Sequence, residues 1–171
     1  MESAEIMGDV RIGKDSSVWN KVIIRGDEAY VQIGNRTNIQ DMCVLHTERD
    51  TPLKIGDNVT IGHGAIIHCK KIGSNCIIGM GAMLLVNAEI GEFSVVAAGA
   101  VVVENKIIPP RSLVMGIPGE VVRQIDDENI KRIKHATGEY MRLSKEHYEG
   151  RHKNCFFLMP LVSDLEKRFT R

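Results

Sequence analysis

Three things are scarce in this 171-residue chain: aromatic side chains, net charge and cysteine. One Trp, three Tyr and four Phe are too few to fill a wide interior with rings. Lys+Arg and Asp+Glu each number 22, so the formal charge is zero and electrostatic attraction to nucleic acid has no basis. No apolar run approaches the roughly 20 residues that span a bilayer, which excludes a transmembrane helix. The first residues, Met1-Glu2-Ser3-Ala4-Glu5, lack the basic, apolar and cleavage-site pattern of a signal peptide. Four cysteines (Cys43, Cys69, Cys76, Cys155) form no Cys-x-x-Cys pair and no framework spacing. Secreted, membrane and disulfide-stapled proteins are disfavoured, and a reducing cytoplasm is the expected setting.

What the chain does have is unevenly spread. Fourteen of its 16 glycines lie in residues 1–119, with only three aromatics, Trp19, Tyr30 and Phe93. Residues 120–171 hold the other five aromatics and half of all Lys+Arg. In the first part aliphatic residues recur every six positions: Ile6, Ile12, Val18, Ile24, then Ile33, Ile39, Leu45, then Ile55, Ile61, Ile67. The series continues through Ile72, Ile78, Leu84, Ile90, Val96, Val102, Ile108 and Val114. These eighteen hexads contain three breaks in phase: three extra residues before Ile33, four before Ile55, and one too few before Ile72.

A period of six suits neither a helix at 3.6 nor a simple alternation of two. It suits short strands joined by corners, with each aliphatic pointing into a narrow prism. A small residue often follows the aliphatic by four positions, and a glycine often follows it by one, where it is expected to ease the turn. Three hexads per coil predict about six coils, spaced about 4.8 Å along the stack. The slim interior explains the shortage of rings. The fold class is mainly β, a hexapeptide-repeat parallel β-helix over residues 1–119.

Beyond Pro118-Gly119 the spacing becomes three to five, through Ile125, Ile130, Ile133, Thr137, Tyr140, Ser144 and Tyr148. Residues 120–150 are expected to supply one amphipathic α-helix covering a side of the prism, with Asp126 as N-cap and Gly150 as stop. Residues 151–171 form an apolar tail, Cys155-Phe156-Phe157-Leu158-Met159-Pro160, with a second short helix possible from Leu161. Such a tail suits docking on its own fold or on a subunit.

The hexad count also predicts neighbours, because residues three hexads apart stack in columns. Arg25, His46 and His68 each follow their aliphatic by one and fall on successive rungs. Asn20, Asp41, His63 and Met80 follow theirs by two and make the adjacent column, so Asp41 lies beneath His63. Two tetrahedral zinc ligands hold their nitrogens about 3.4 Å apart. Side chains anchored one rung apart can converge that far, so His46 and His68 are a credible ligand pair. His63, at another angle, can serve the same metal in its own chain or a metal shared with a neighbour. Three neutral imidazoles leave zinc an open position and bring the pKa of a bound water to about 7. They suit Fe2+ and Co2+ as well. The bland alternatives are surface histidines or a structural zinc. His135, His147 and His152 fall among charges near the helix and read as solvated, and Cys43, Cys69 and Cys76 read as packing residues.

At this point a family enters. Arg25-Gly26-Asp27-Glu28, Asn38-Ile39-Gln40-Asp41, His46, Ile61-Gly62-His63 and Ile67-His68-Cys69 together resemble the γ-class carbonic anhydrases. So do Gly79-Met80-Gly81-Ala82 and the run from Pro109 to Pro118. The resemblance covers roughly residues 4–150. It implies a left-handed β-helix, a homotrimer, and a metal at each subunit interface held by His46 and His68 of one subunit and His63 of the next. It further implies that Gln40 orients a metal-bound hydroxide that attacks carbon dioxide to give bicarbonate, with Asn38 nearby. Glu28 would line the site, Tyr140 would close the pocket, and Arg25, Asp27 and Asp41 would form ion pairs joining subunits.

Three departures from the family pattern stand out. Both long breaks are short, so the acidic loop carrying a proton-shuttle Glu is missing, which leaves Glu28 or Glu48 as substitutes and slow turnover or none as the expectation. The strand that usually precedes the first coil is absent, and the apolar tail runs past the matched region. Alternatives to the carbonic anhydrase reading are a non-catalytic trimeric scaffold with a structural metal and an acyl-CoA transferase or thioesterase of the hexapeptide class. No nucleic-acid or membrane partner is expected.

Overall fold

In the computed structural model residues 1–152 are described. Their dominant feature is a stack of short parallel strands on three faces. One face carries, from rung to rung, the Ile24, Leu45, Ile67, Leu84 and Val102 positions in register. A second carries Ile33, Ile55, Ile72, Ile90 and Ile108. The third carries Val18, Ile39, Ile61, Ile78, Val96 and Val114. These are the three columns that hexad counting assigns.

From Ile24 to Val114 every repeat aliphatic is buried in one continuous core. Ile6 and Ile12 are different, at 46% and 40% exposed, because the coil that carries them is the first in the stack and has a neighbour on one side only. The three extra residues before Ile33 make no excursion. They extend a single strand, Ile23–Ile33, around a corner, with Glu5–Ile12 paired alongside it across a register shift between Gly8 and Val10. The break before Ile55 closes on itself as a tight turn, with Thr51 N donating to Glu48 O at 2.9 Å.

The glycines after the aliphatics do a different job from the one expected. A Cβ on Gly56 would lie 2.6 Å from Ser74 N, and one on Gly34 would lie 2.6 Å from Gly56 C, so the space between coils excludes a side chain there. The left-handed turn positions instead lie three residues after the aliphatics, and asparagines fill four of them, Asn58 and Asn75 at one corner and Asn87 and Asn105 at another, with φ between 56° and 59°. Asparagine tolerates this region because its short amide bonds locally. Here the amides also ladder between coils, as in Asn58 Nδ2 to Asn75 Oδ1 at 3.2 Å.

After the last coil, residues 120–124, counted above with the helical segment, form a strand antiparallel to Ser112–Met115. The turn at Pro118-Gly119 reverses the chain, and Val121-Val122 continue as extended β-branched residues. The helix spans Asp127–Tyr148. Asp126 caps it, accepting from Asn129 N at 2.9 Å while Asn129 Oδ1 accepts from Asp126 N at 3.4 Å.

The helix runs back along the stack. It leaves the last coil where Ile125 N donates to Arg111 O, passes Asn58 through the Thr137 hydroxyl, and reaches Trp19 of the first coil with His147. Its buried stripe is Ile133 and Thr137, continued by the half-buried Tyr140, Ser144 and His147. Two expectations change at its end. Tyr148 is 94% exposed. His147, seven residues after Tyr140 and so on the same face, packs edge-on against Trp19 at 5.2 Å. From residue 153 onward the apolar tail lies outside the described residues.

Candidate metal centre

Strand register places Arg25 beside His46, and His68 falls on the rung beyond it. The two imidazoles face each other with centroids 5.2 Å apart and planes inclined by 37°. His68 Nε2 is buried and, among the described residues, has no hydrogen-bond partner. Glu48 Oε2 approaches it to 3.5 Å, within ion-pair range but without hydrogen-bond geometry. His46 Nε2 has two close neighbours, Arg25 Nη2 at 3.0 Å and Asp27 Oδ1 at 3.3 Å. A guanidinium can only donate, so the contact with Arg25 requires His46 Nε2 to accept. Asp27 is paired with Arg25 at 3.2 Å. Desolvation pushes the Asp27 carboxyl up, but its own backbone amide and Arg25 outweigh this and hold it below the usual carboxylate range.

His63 lies around the corner, in the column that holds Asp41 one rung below. Its Nδ1 is 2.9 Å from Asp41 Oδ2, and its Nε2 is 3.3 Å from the Tyr140 hydroxyl. Tyr140 comes from the helix and meets Trp19 edge-to-face at 5.4 Å. Desolvation and the Asp41 charge push its phenol up, so the hydroxyl stays a protonated donor. Among the described residues no three His, Cys, Asp or Glu side chains of one chain converge as a metal site. The option of a three-histidine site within a single chain therefore fails: two ligand candidates share one face and the third turns away on another.

A third group lies under the helix. Gln40 Nε2 donates to Asn38 Oδ1 at 3.2 Å, and Asn38 Nδ2 donates to Thr60 Oγ1 at 2.9 Å. All three residues are buried. Glu28 is exposed on the long strand, and among the described residues it makes no side-chain hydrogen bond. Within the chain Asp41 pairs with His63 and Arg25 pairs with Asp27. Burial pushes Cys43 up to about 11 and Cys69 and Cys76 up to about 12, so none of these three offers a thiolate for ligation or attack at neutral pH.

Sequence reasoning missed Thr60 and Trp19. The lattice contained the signal for both: Thr60 is one rung above Asn38 in register, and Trp19 one rung below Gln40.

No family model matches the chain. A protein named "Probable carbonic anhydrase" from Methanocaldococcus jannaschii is 50% identical over 144 residues, 84% of this chain and 91% of that one. The chain belongs to the γ-class carbonic anhydrase family. Within the family, "Gamma carbonic anhydrase 2, mitochondrial" from Arabidopsis thaliana is 35% identical over 99% of this chain and 63% of that protein. Among solved structures, a hexapeptide transferase family protein from Anaplasma phagocytophilum superposes with a TM-score of 0.77 at 35% identity. It covers 85% of this chain and 89% of that one. The solenoid is thus the left-handed hexapeptide β-helix.

Proposed function

We propose that the chain forms a homotrimer and catalyses the reversible hydration of carbon dioxide to bicarbonate at three intersubunit metal centres. The observation that carries this reading is the His46–His68 pair, with His68 Nε2 buried and, among the described residues, unpartnered in a position that a cation would satisfy. His63 of the partner subunit would complete an all-imidazole donor set, which suits Zn2+, Fe2+ or Co2+. Such a metal, when bound, supplies the Lewis acidity that makes water ionisable near neutral pH.

The chain's own groups do the rest. Gln40, fixed through Asn38, keeps its carbonyl oxygen free to orient the attacking water without adding a charge. Asn38 and Glu28 line the approach, and Tyr140 closes it from the helix. Arg25, Asp27 and Asp41 join subunits and so create the site. Hydration yields bicarbonate and one proton. Glu48, half-exposed beside His68, takes that proton at Oε2 and releases it to solvent, a role its position favours over Glu28. A single exposed carboxylate in place of an acidic loop makes turnover slow.

Stopped-flow carbon dioxide hydration, with metal content measured in the same anaerobically purified sample, tests the reading. Hydration should track metal occupancy and vanish with chelation. Gln40→Ala should keep metal and trimer while lowering the rate by about 10- to 100-fold. A fully metallated trimer with no rate above buffer would refute catalysis and leave a scaffold. The solved structure named a hexapeptide transferase supports a transferase as a second reading, for which acyl transfer from CoA is the form proposed here. Saturable acetyl-CoA binding by the pure protein would favour it.

A further inference from the structure

His63 makes a close polar contact at each ring nitrogen, with Asp41 at Nδ1 and Tyr140 at Nε2. A carboxylate only accepts, so Nδ1 of the neutral ring carries the proton. The Nε2 lone pair is then the acceptor, and the Tyr140 hydroxyl is its donor. His63 can therefore offer a metal one nitrogen, and Tyr140 stands on it.

Packing holds the hydroxyl there. Tyr140 lies one helical turn after Thr137, which is buried and whose hydroxyl is shared between Asn58 O at 3.3 Å and Ile133 O at 3.2 Å. On its other side the ring meets the edge-on, buried indole of Trp19. Two fixed points on the prism thus set where the hydroxyl sits.

We infer that Tyr140 is a positioning residue that competes with the metal for His63 Nε2. It caps the lone pair that a metal needs and gives it up when the metal binds, while Asp41 keeps its place on Nδ1 and with it the tautomer. This rests on the assignment of His63 as a ligand made above. Arg25 meets His46 Nε2 in a similar way, but it is also paired with Asp27, so its removal would not isolate the effect.

The consequence has an unusual sign. Tyr140→Phe keeps the ring against Trp19 and removes only the competing hydroxyl, so zinc affinity should rise by about 2- to 10-fold, the worth of one neutral hydrogen bond. A residue that merely walls the site would leave affinity unchanged or weakened when altered. The experiment measures zinc dissociation constants by competition with a chromophoric chelator for the wild type, Tyr140→Phe and His63→Ala, with thermal melts to confirm folding. Tighter binding in Tyr140→Phe together with weaker binding in His63→Ala supports the inference. Equal or weaker binding in Tyr140→Phe, with metal lost in His63→Ala, overturns it and leaves the ligand assignment standing. Unchanged affinity in His63→Ala overturns the ligand assignment and this inference with it. Nitrogen-15 NMR of the zinc-stripped wild type supplies a second check: His63 should carry its proton on Nδ1, and a proton on Nε2 would refute the competition.

Discussion

Thr60→Val is the perturbation that reads the buried amide chain most directly. Valine matches threonine in shape and replaces the hydroxyl with a methyl, so the coil keeps its packing and loses one acceptor. The lost acceptor leaves Asn38 Nδ2 without its 2.9 Å partner in a region where Asn38, Gln40 and Thr60 are all buried. Stranding a buried polar group costs about 1–3 kcal/mol, and the added methyl returns less than about 1 kcal/mol. The net loss lowers Tm by several degrees, at about 2–4 °C per kcal/mol for a chain of this size. The functional effect is separate: Asn38, freed to rotate, no longer presents Oδ1 to Gln40 Nε2, so hydration falls through kcat. Thr60→Ser retains the oxygen and should recover both quantities. Melting at fixed protein concentration and stopped-flow hydration of the two variants provide the comparison. A Thr60→Val protein with wild-type Tm and wild-type kcat would refute the idea that Thr60 anchors Asn38 and Gln40.

Other consequences follow from the prism. Leu45→Ala, at a fully buried repeat position, should cost about 2–5 kcal/mol in urea denaturation, whereas Ile6→Ala on the open first coil should cost under about 1 kcal/mol. Equal losses would contradict a core that runs from Ile24 to Val114. Gly56→Ala forces a Cβ to within 2.6 Å of Ser74 N, so it should lower stability by about 1–3 kcal/mol despite adding one methyl group. A neutral result would return that glycine to a turn role. In a Cys155→Ser background, Cys43, Cys69 and Cys76 should resist a thiol reagent at pH 8, because that pH lies well below values pushed up to about 11 and about 12. Rapid labelling before unfolding would show that the coils open locally.

Much of this molecule was legible because a repeat converts sequence distance into spatial distance. Once three hexads make a coil, the neighbours of Arg25, His46 and His68, and of Asp41 and His63, follow from counting alone, and the strand register agrees at each rung. The same count would have found Thr60 beside Asn38. The glycine reading failed because periodicity reveals where a residue recurs and is silent about whether a turn or a crowded backbone demands it. Close approach of Gly56 to Ser74 is a property of two coils together.

The sequence by itself determined the prism, its columns, and the gathering of histidines at two adjoining corners, since every one of these depends on a local period repeated up the stack. Only tertiary structure decided what the helix does to them. Its hydrophobic spacing admits both Tyr148 and His147, and contact with Trp19 selects His147. Its position along the stack, set by Ile125 at the last coil and Thr137 at Asn58, is what brings the Tyr140 hydroxyl to His63 from 77 residues away. A helix can slide and rotate on a uniform prism without changing its own pattern, so that choice belongs to side-chain packing between distant segments.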